Sequence, residues 1–429
     1  MNGRAPRKYD RLTVLGLTVL LANAAAVMRA QDAPPPAVID DWRMLEPAQD
    51  MIDYKAKLKD GVFDETSKTF LVNTALPQLA LPKNRATIDK VRKRIREVLC
   101  GDAGGDSKAT AVATQTVAEF MTALARNDKA DVVARVNAAL LVGELTGTGR
   151  KPWSPAVASL VDMVGDDALP PAVRIAAAAG LARHVDADAE ARAVDVAPAL
   201  VKLATAPLAG FDAVSSDWLR SRALAMLAHM GAAAPAGTAA AAAKVLLDAK
   251  VAVDVRVRAA AAVGSTAKAP GDTDVSAAVA AIHGVAKAAL SATQEEADRR
   301  ALANRLAGGR ADQPPQIQPV PAFGPEAGVI TQGGGSQQYR RNAWRLATLA
   351  DALVTTDGQG GLVRVAGATA PSVKALADAL RQGAVGLDAK PDAESLDAAI
   401  KALGEVAMQP APTTTPGGPP DGEGKPKPP

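Results

Sequence analysis

Catalysis needs reactive side chains gathered in one place, and few residues of this chain qualify. The histidines are His184, His229 and His283, and the sole cysteine is Cys100. A zinc site takes at least three converging His, Cys or carboxylate ligands, and these histidines are too far apart for any two to share a helical turn. A lone cysteine forms no intramolecular disulfide, and Cys100 reads as filler of a small apolar gap. Gly422-Glu423-Gly424-Lys425 begins like a phosphate loop, but Pro426 replaces the Ser or Thr that holds the metal. Gly358-Gln359-Gly360-Gly361 lacks the third spaced glycine of a dinucleotide loop. Gly334-Gly335-Ser336-Gln337-Gln338 ends in glutamine where a nucleophile elbow has glycine. The inventory predicts a chain that is not an enzyme and takes no cofactor, metal or small-molecule substrate.

Two constellations suit binding instead. The densest basic stretch runs through Lys83, Arg85, Lys90, Arg92, Lys93, Arg94 and Arg96, opposed only by Asp89 and Glu97. On a helix Lys90, Lys93, Arg94 and Glu97 share a face, with Val91, Ile95, Val98 and Leu99 turned inward. Such a face is either solvated or a patch for anionic lipid, an anionic envelope polymer such as polysaccharide, or an acidic protein. The second constellation is Arg340, Arg341 and Trp344, beside Tyr339. Arginine next to Trp is common in interface anchors, though a core Trp344 with its neighbours turned outward is the alternative. A net charge of +3 and the lack of aromatics within the basic stretch argue against nucleic acid.

The elements that position these residues follow from composition. Hydrophobic residues make up 48% of the chain and aromatics 3%, with alanine the commonest residue by far. A core of small side chains favours helix on helix and disfavours sandwiches and barrels, which lean on β-branched and aromatic strands. From about Thr110 onward, helical periodicity alternates with short Gly, Pro and Asp connections. Val157, Leu160, Val161 and Val164, for example, share one helical face.

The N-terminus has its own logic. Arg4, Arg7, Lys8 and Arg11 precede an apolar run over residues 12–27, about 24 Å long as a helix. That is short of the roughly 30 Å hydrocarbon core, and small residues follow, so residues 1–30 read as a signal peptide. Export to the periplasm or exterior is expected, with an uncleaved N-terminal anchor the lesser alternative. No second uncharged apolar run is long enough to span a bilayer.

The strongest pattern is a repeat. Val-Arg or Leu-Arg followed by small apolar residues recurs around Arg135, Arg174, Arg220 and Arg256, at spacings of 39, 46 and 36 residues. Seven positions after each arginine stands an apolar residue: Val142, Leu181, Leu227 and Val263. Gly143 and Gly264 follow the first and last, and Asp131, Asp167, Asp217 and Asp254 precede the four arginines.

These runs resemble the HEAT-repeat family, with its armadillo-like and phycobilisome-lyase-like relatives. The resemblance implies an all-α, right-handed α-solenoid of stacked two-helix repeats with disordered termini. It also implies an aspartate near each inter-helix turn and a Val-Arg pair opening each second helix. We expect the four arginines to form a structural ladder, bonding turn aspartates or carbonyls across the stack. One enzymatic group of that family holds a di-iron centre with His-Glu pairs, but here Val185, Met230 and Gly284 follow the histidines.

The expected organisation is a linker and N-terminal helical cap over 31–109 and a repeat array over 110–307. A Pro/Gly-rich loop over 308–338, closing helices over 339–408 and a disordered tail over 409–429 complete it. Within the array, Thr293-Gln294-Glu295-Glu296 has the form of a capping box that starts a further helix at Ala297. The expected function is an exported scaffold binding another protein through its concave face. The alternatives are a structural protein bound to anionic envelope polymer and an accessory of a lyase-like enzyme.

Overall fold

A computed structural model describes residues 49–99, 107–306, 334–358 and 360–406. The signal-like run, Cys100 and the C-terminal tail lie outside these residues. The described residues are all-helical, with no strand beyond an isolated Thr146–Pro152 bridge. The chain divides into two compact units at Pro235.

The first unit opens with α1 (Gln49–Lys59), α2 (Glu65–Phe70) and α3 (Ile88–Arg94). Tyr54 and Phe70 pack with ring centroids 5.4 Å apart. Pro77 and Pro82 fall in 3-10 turns between α2 and α3, where the missing N–H groups cost no α-helical bond. Six further helices follow: α4 (Lys108–Arg126), α5 (Val132–Glu144), α6 (Ala156–Gly165), α7 (Pro171–Ala187), α8 (Ala189–Thr205) and α9 (Ala213–Met230). Side chains that satisfy orphan N–H groups set several starts. Ser107, Asp131, Asp188 and Asp212 accept from Thr110, Val133, Ala191 and Ser215 respectively.

These six helices pair in sequence order, α4 with α5, α6 with α7 and α8 with α9. The second members pack in series, α5 on α7 and α7 on α9, as do the first members α4, α6 and α8. Small residues make the α5–α7 contact close. A Cβ on Gly143 would lie 2.4 Å from Gly180 Cα, so the two backbones meet where any side chain would separate them. The connection before α9 differs from expectation. Helix α9 begins at Ala213 under the Asp212 cap, which leaves Leu219-Arg220 in its second turn instead of at its opening.

The second unit holds α10 (Thr238–Leu247), α11 (Val253–Thr266), α12 (Val275–Leu306), α13 (Gly334–Leu353), α14 (Ala370–Ala389) and α15 (Ala393–Glu405). Helices α10 and α11 form another pair, but the array then changes. No new helix starts at Ala297: α12 runs unbroken through the supposed capping box. Thr293 sits mid-helix and fully buried, its hydroxyl donating to Ala289 O. The Thr-x-x-Glu signal fails because a buried polar partner from α13 occupies the threonine. Helix α13 starts at Gly334, inside the stretch expected as a Pro/Gly-rich loop, whose residues 308–333 lie outside the described residues. Glycine is tolerated at a helix start, where its entropy cost is smallest. Helix α13 packs on α11, α12 and α14, and Asp392 caps α15 through Ser395 N–H.

Candidate functional site

The arginine of each repeat shows how the pairs are locked. Arg135 Nε donates to Ala125 O at 3.0 Å, Arg174 Nε to Val164 O at 3.0 Å and Arg256 Nε to Leu246 O at 2.9 Å. Each acceptor is a carbonyl in the last turn of the preceding helix, where no intrahelical partner exists and the helix dipole is negative. The ladder therefore bonds within each helix pair, and these anchors do not cross from one pair to the next as expected. Arg174 is 2% exposed, pairs with Asp167 at 2.8 Å and lies 5.0 Å from the Phe211 ring. Arg220, displaced by the longer connection, reaches Ala206 O through a terminal nitrogen at 3.2 Å. Burial lowers the pKa of Arg256, against the opposing charge of Asp248.

With the arginines turned inward, the second helices of the first unit bury most of their surface and leave one face open. On α5 that face is the exposed Val132 and the half-buried Val136 and Leu140, with half-buried Glu144 at its end. On α7 it is Ala172, Ile175, Ala179 and Arg183, and on α9 it includes Val214 and Trp218. Val132 is 44% exposed, Trp218 43% and Val214 80%. The exposed positions of the first helices are mixed: Gln115 and Glu119 on α4, Asp162 on α6, and Glu190 and Asp195 on α8 stand beside the exposed Val112 and Val194. The open face is thus largely apolar, and the charges at its end are engaged within the unit, Glu144 with Arg92 and Arg96 and Arg183 with Gly143 O. It holds no reactive constellation.

The basic constellation is largely engaged internally. Arg92 donates to Asn137 Oδ1 at 2.6 Å and lies 3.4 Å from Glu144, and Arg96 pairs with Glu144 at 3.3 Å. Lys93 sits 3.8 Å from Glu97, and Arg85 pairs with Asp131 at 3.3 Å. Lys90 and Lys93 are exposed, whereas Arg94 is half-buried. The α3 cations thus hold α3 to α5 more than they face outward.

No protein-family model, curated protein or solved structure matches the chain.

The second constellation is built into the second unit. Arg345, 8% exposed, donates Nε–H to Asp254 Oδ1 at 2.7 Å and a terminal N–H to Asn342 Oδ1 at 2.7 Å. Asn342, fully buried, donates to Thr293 Oγ1 at 2.8 Å, and Arg341 pairs with the second oxygen of Asp254. Burial works against ionisation of Asp254, but the hydrogen bonds and charges of Arg345 and Arg341 hold its pKa below the ordinary value. Trp344 is half-buried under the Arg258 guanidinium, 4.7 Å from its ring. Within this second constellation Arg340 stands exposed without a partner among the described residues.

The remaining chemistry-bearing groups do not converge. Among the described residues no three His, Cys, Asp or Glu side chains are placed to hold a metal ion. His229 is exposed, His283 bonds Leu403 O at 3.0 Å, and His184 is 2% exposed with no partner for Nε2. Burial, then the charges of Arg192 and Arg183, push the His184 pKa down to about 4. A small open cleft is lined by Thr293, Glu296, Ala297, Arg300, Gln338 and Tyr339, and its two charges pair with each other. Helix α12 is long and apolar enough to cross a membrane, yet Ile282, Val285, Ala286 and Leu290 are buried within the unit.

Sequence reasoning missed the open-face residues Val132, Val136, Leu140, Ile175, Val214 and Trp218. The signal was available. Val132, Val136 and Leu140 recur every fourth residue along α5, and Val214 and Trp218 do so along α9.

Proposed function

We propose that this chain is an exported, HEAT-like α-solenoid scaffold that binds another protein through the open face of its second helices. The observation that carries the reading is the apolar face of α5, α7 and α9, set on helices locked by repeated arginine anchors. Right-handed stacking of the pairs would curve this face into a concave surface, as in other helical repeat arrays. Export rests on the basic residues and short apolar run at the N-terminus.

The envelope-polymer reading loses support, because Arg92, Arg96 and Lys93 have partners within the first unit. The enzyme-accessory reading has less to work with, because the converging polar groups of the second unit, Asp254, Arg341, Arg345 and Asn342, are spent on one another.

The test compares capture of exported proteins by the chain with capture by a Val136→Asp, Ile175→Asp variant and by Val194→Asp on the exposed side of α8. The scaffold reading expects one stoichiometric protein that survives high salt, is lost with the open-face variant and is kept by Val194→Asp. Capture of salt-labile polymer alone, or equal capture by all three proteins, would contradict it.

A further inference from the structure

The second helices of the first unit carry five arginines, and four of them have acceptors. Arg135, Arg174 and Arg220 bond the carbonyls described above, and Arg183 donates to Gly143 O at 3.2 Å. Arg222 has no hydrogen-bond or ion-pair partner among the described residues, although its side chain is half-buried. It stands one turn beyond Trp218 and two turns beyond Val214 on α9, so the three form a single stripe. The carboxylates nearby do not neutralise it. Asp212 is committed to capping α9, and Asp217 points about 140° around the helix from Arg222.

An exposed indole and valine beside an uncommitted guanidinium define a complementary ligand. The ring and valine take an apolar side chain, and the guanidinium takes a carboxylate, which matches its planar fork. Trp and Arg are also the side chains that dominate binding energy at protein interfaces. A single free cation is a point of recognition rather than a basic field. Anionic membranes and polymers are read by clusters of four to eight basic residues.

We propose that Val214, Trp218 and Arg222 form a docking stripe for an acidic amphipathic segment of a partner protein. Its apolar side chains lie over Val214 and Trp218, and its carboxylate pairs with Arg222. The proposal rests on the scaffold reading and narrows it to one helix and one partner chemistry.

The test titrates the full chain into two labelled amphipathic helical peptides with the same leucine stripe, flanked by glutamate in one and lysine in the other. Fluorescence anisotropy reads the affinity. The expected result is about tenfold tighter binding of the glutamate peptide, lost on Trp218→Ala. Arg222→Glu should reverse the preference, and Arg222→Lys should restore it in part. Circular dichroism of each variant checks that the fold is retained.

Equal binding of the two peptides, no binding of either, or an unchanged preference in Arg222→Glu would overturn the proposal. So would phosphatidylserine vesicles that bind through Trp218 while the glutamate peptide does not. Peptide binding that is lost in Val136→Asp, Ile175→Asp but untouched by Arg222→Glu would overturn the stripe and leave the wider scaffold reading standing.

Discussion

Arg174 in the first unit and Arg256 in the second donate the same bond to a carbonyl ten residues back, yet the two units build differently around it. In the first, the aspartates before the second helices serve their own helix pair, although Asp131 also meets the exposed Arg85 at 3.3 Å. Asp131 caps α5, and Asp167 pairs with the arginine of its own repeat. In the second, the matching Asp254 is taken over by Arg341 and Arg345, some ninety positions along the chain. Close packing follows the same division. Gly143 meets Gly180 of the next repeat, whereas its counterpart Gly264 meets Ala352 on α13, which is no repeat at all. One motif can therefore anchor a helix pair in either setting. What surrounds the pair decides whether its outer face is left exposed or consumed in a buried network.

Removing the group on which the second unit's network converges should have the largest effect. Asp254→Ala leaves the buried Arg345 charge uncompensated, at about 3–5 kcal/mol. Hydrogen exchange should accelerate in α11 and α13. A loss under 1 kcal/mol in denaturant titration would show that the network is not a unit.

The next effect separates the units by pH. His184 is neutral when folded, with a pKa of about 4 against an ordinary 6.5, so the unfolded chain takes up its proton first. Its contribution is full above pH 6.5 and is lost as pH falls from 6.5 to 4, by about 3 kcal/mol at most. His184→Leu should flatten this acid limb of the stability profile; an unchanged limb would remove His184 as its source.

Gly143→Ala should cost about 2 kcal/mol by forcing α5 from α7, because the obstacle is the Gly180 backbone and cannot rotate away. Smallest is the contrast within the ladder. Arg174→Gln should cost about 2 kcal/mol and Arg220→Gln about 1, since the first is buried with three partners and the second is part-exposed with one. Equal losses would mean that the displaced register at α9 has no energetic consequence.

Much of the first unit was legible in the sequence because its interactions are local. Arg135 and Arg174 each reach a carbonyl ten residues away, and caps such as Asp131 act within two or three positions, so a linear pattern carries them. The second unit was misread where distant residues intervened. Thr293 looked like a helix start because nothing near it in sequence reveals Asn342 as its partner. Arg341 and Trp344 looked like surface anchors for the same reason: Asp254 and Arg258, which engage them, lie far upstream. The open face was hidden differently, since its valines and isoleucine have the same residue types as the core and only the arginines' inward direction distinguishes them.

The claim that the first unit presents a binding face and the second spends its equivalent residues internally is tested most directly by site-specific photo-cross-linking. A photoreactive residue is placed in the full chain at 136, 175 and 218, then at 112 and 194 on the first helices and at 385 on α14, and each is exposed to exported proteins. The account predicts one discrete cross-linked partner from positions 136, 175 and 218 and none from 112, 194 or 385. Cross-links only from 112, 194 or 385, or equally from all six, would contradict it.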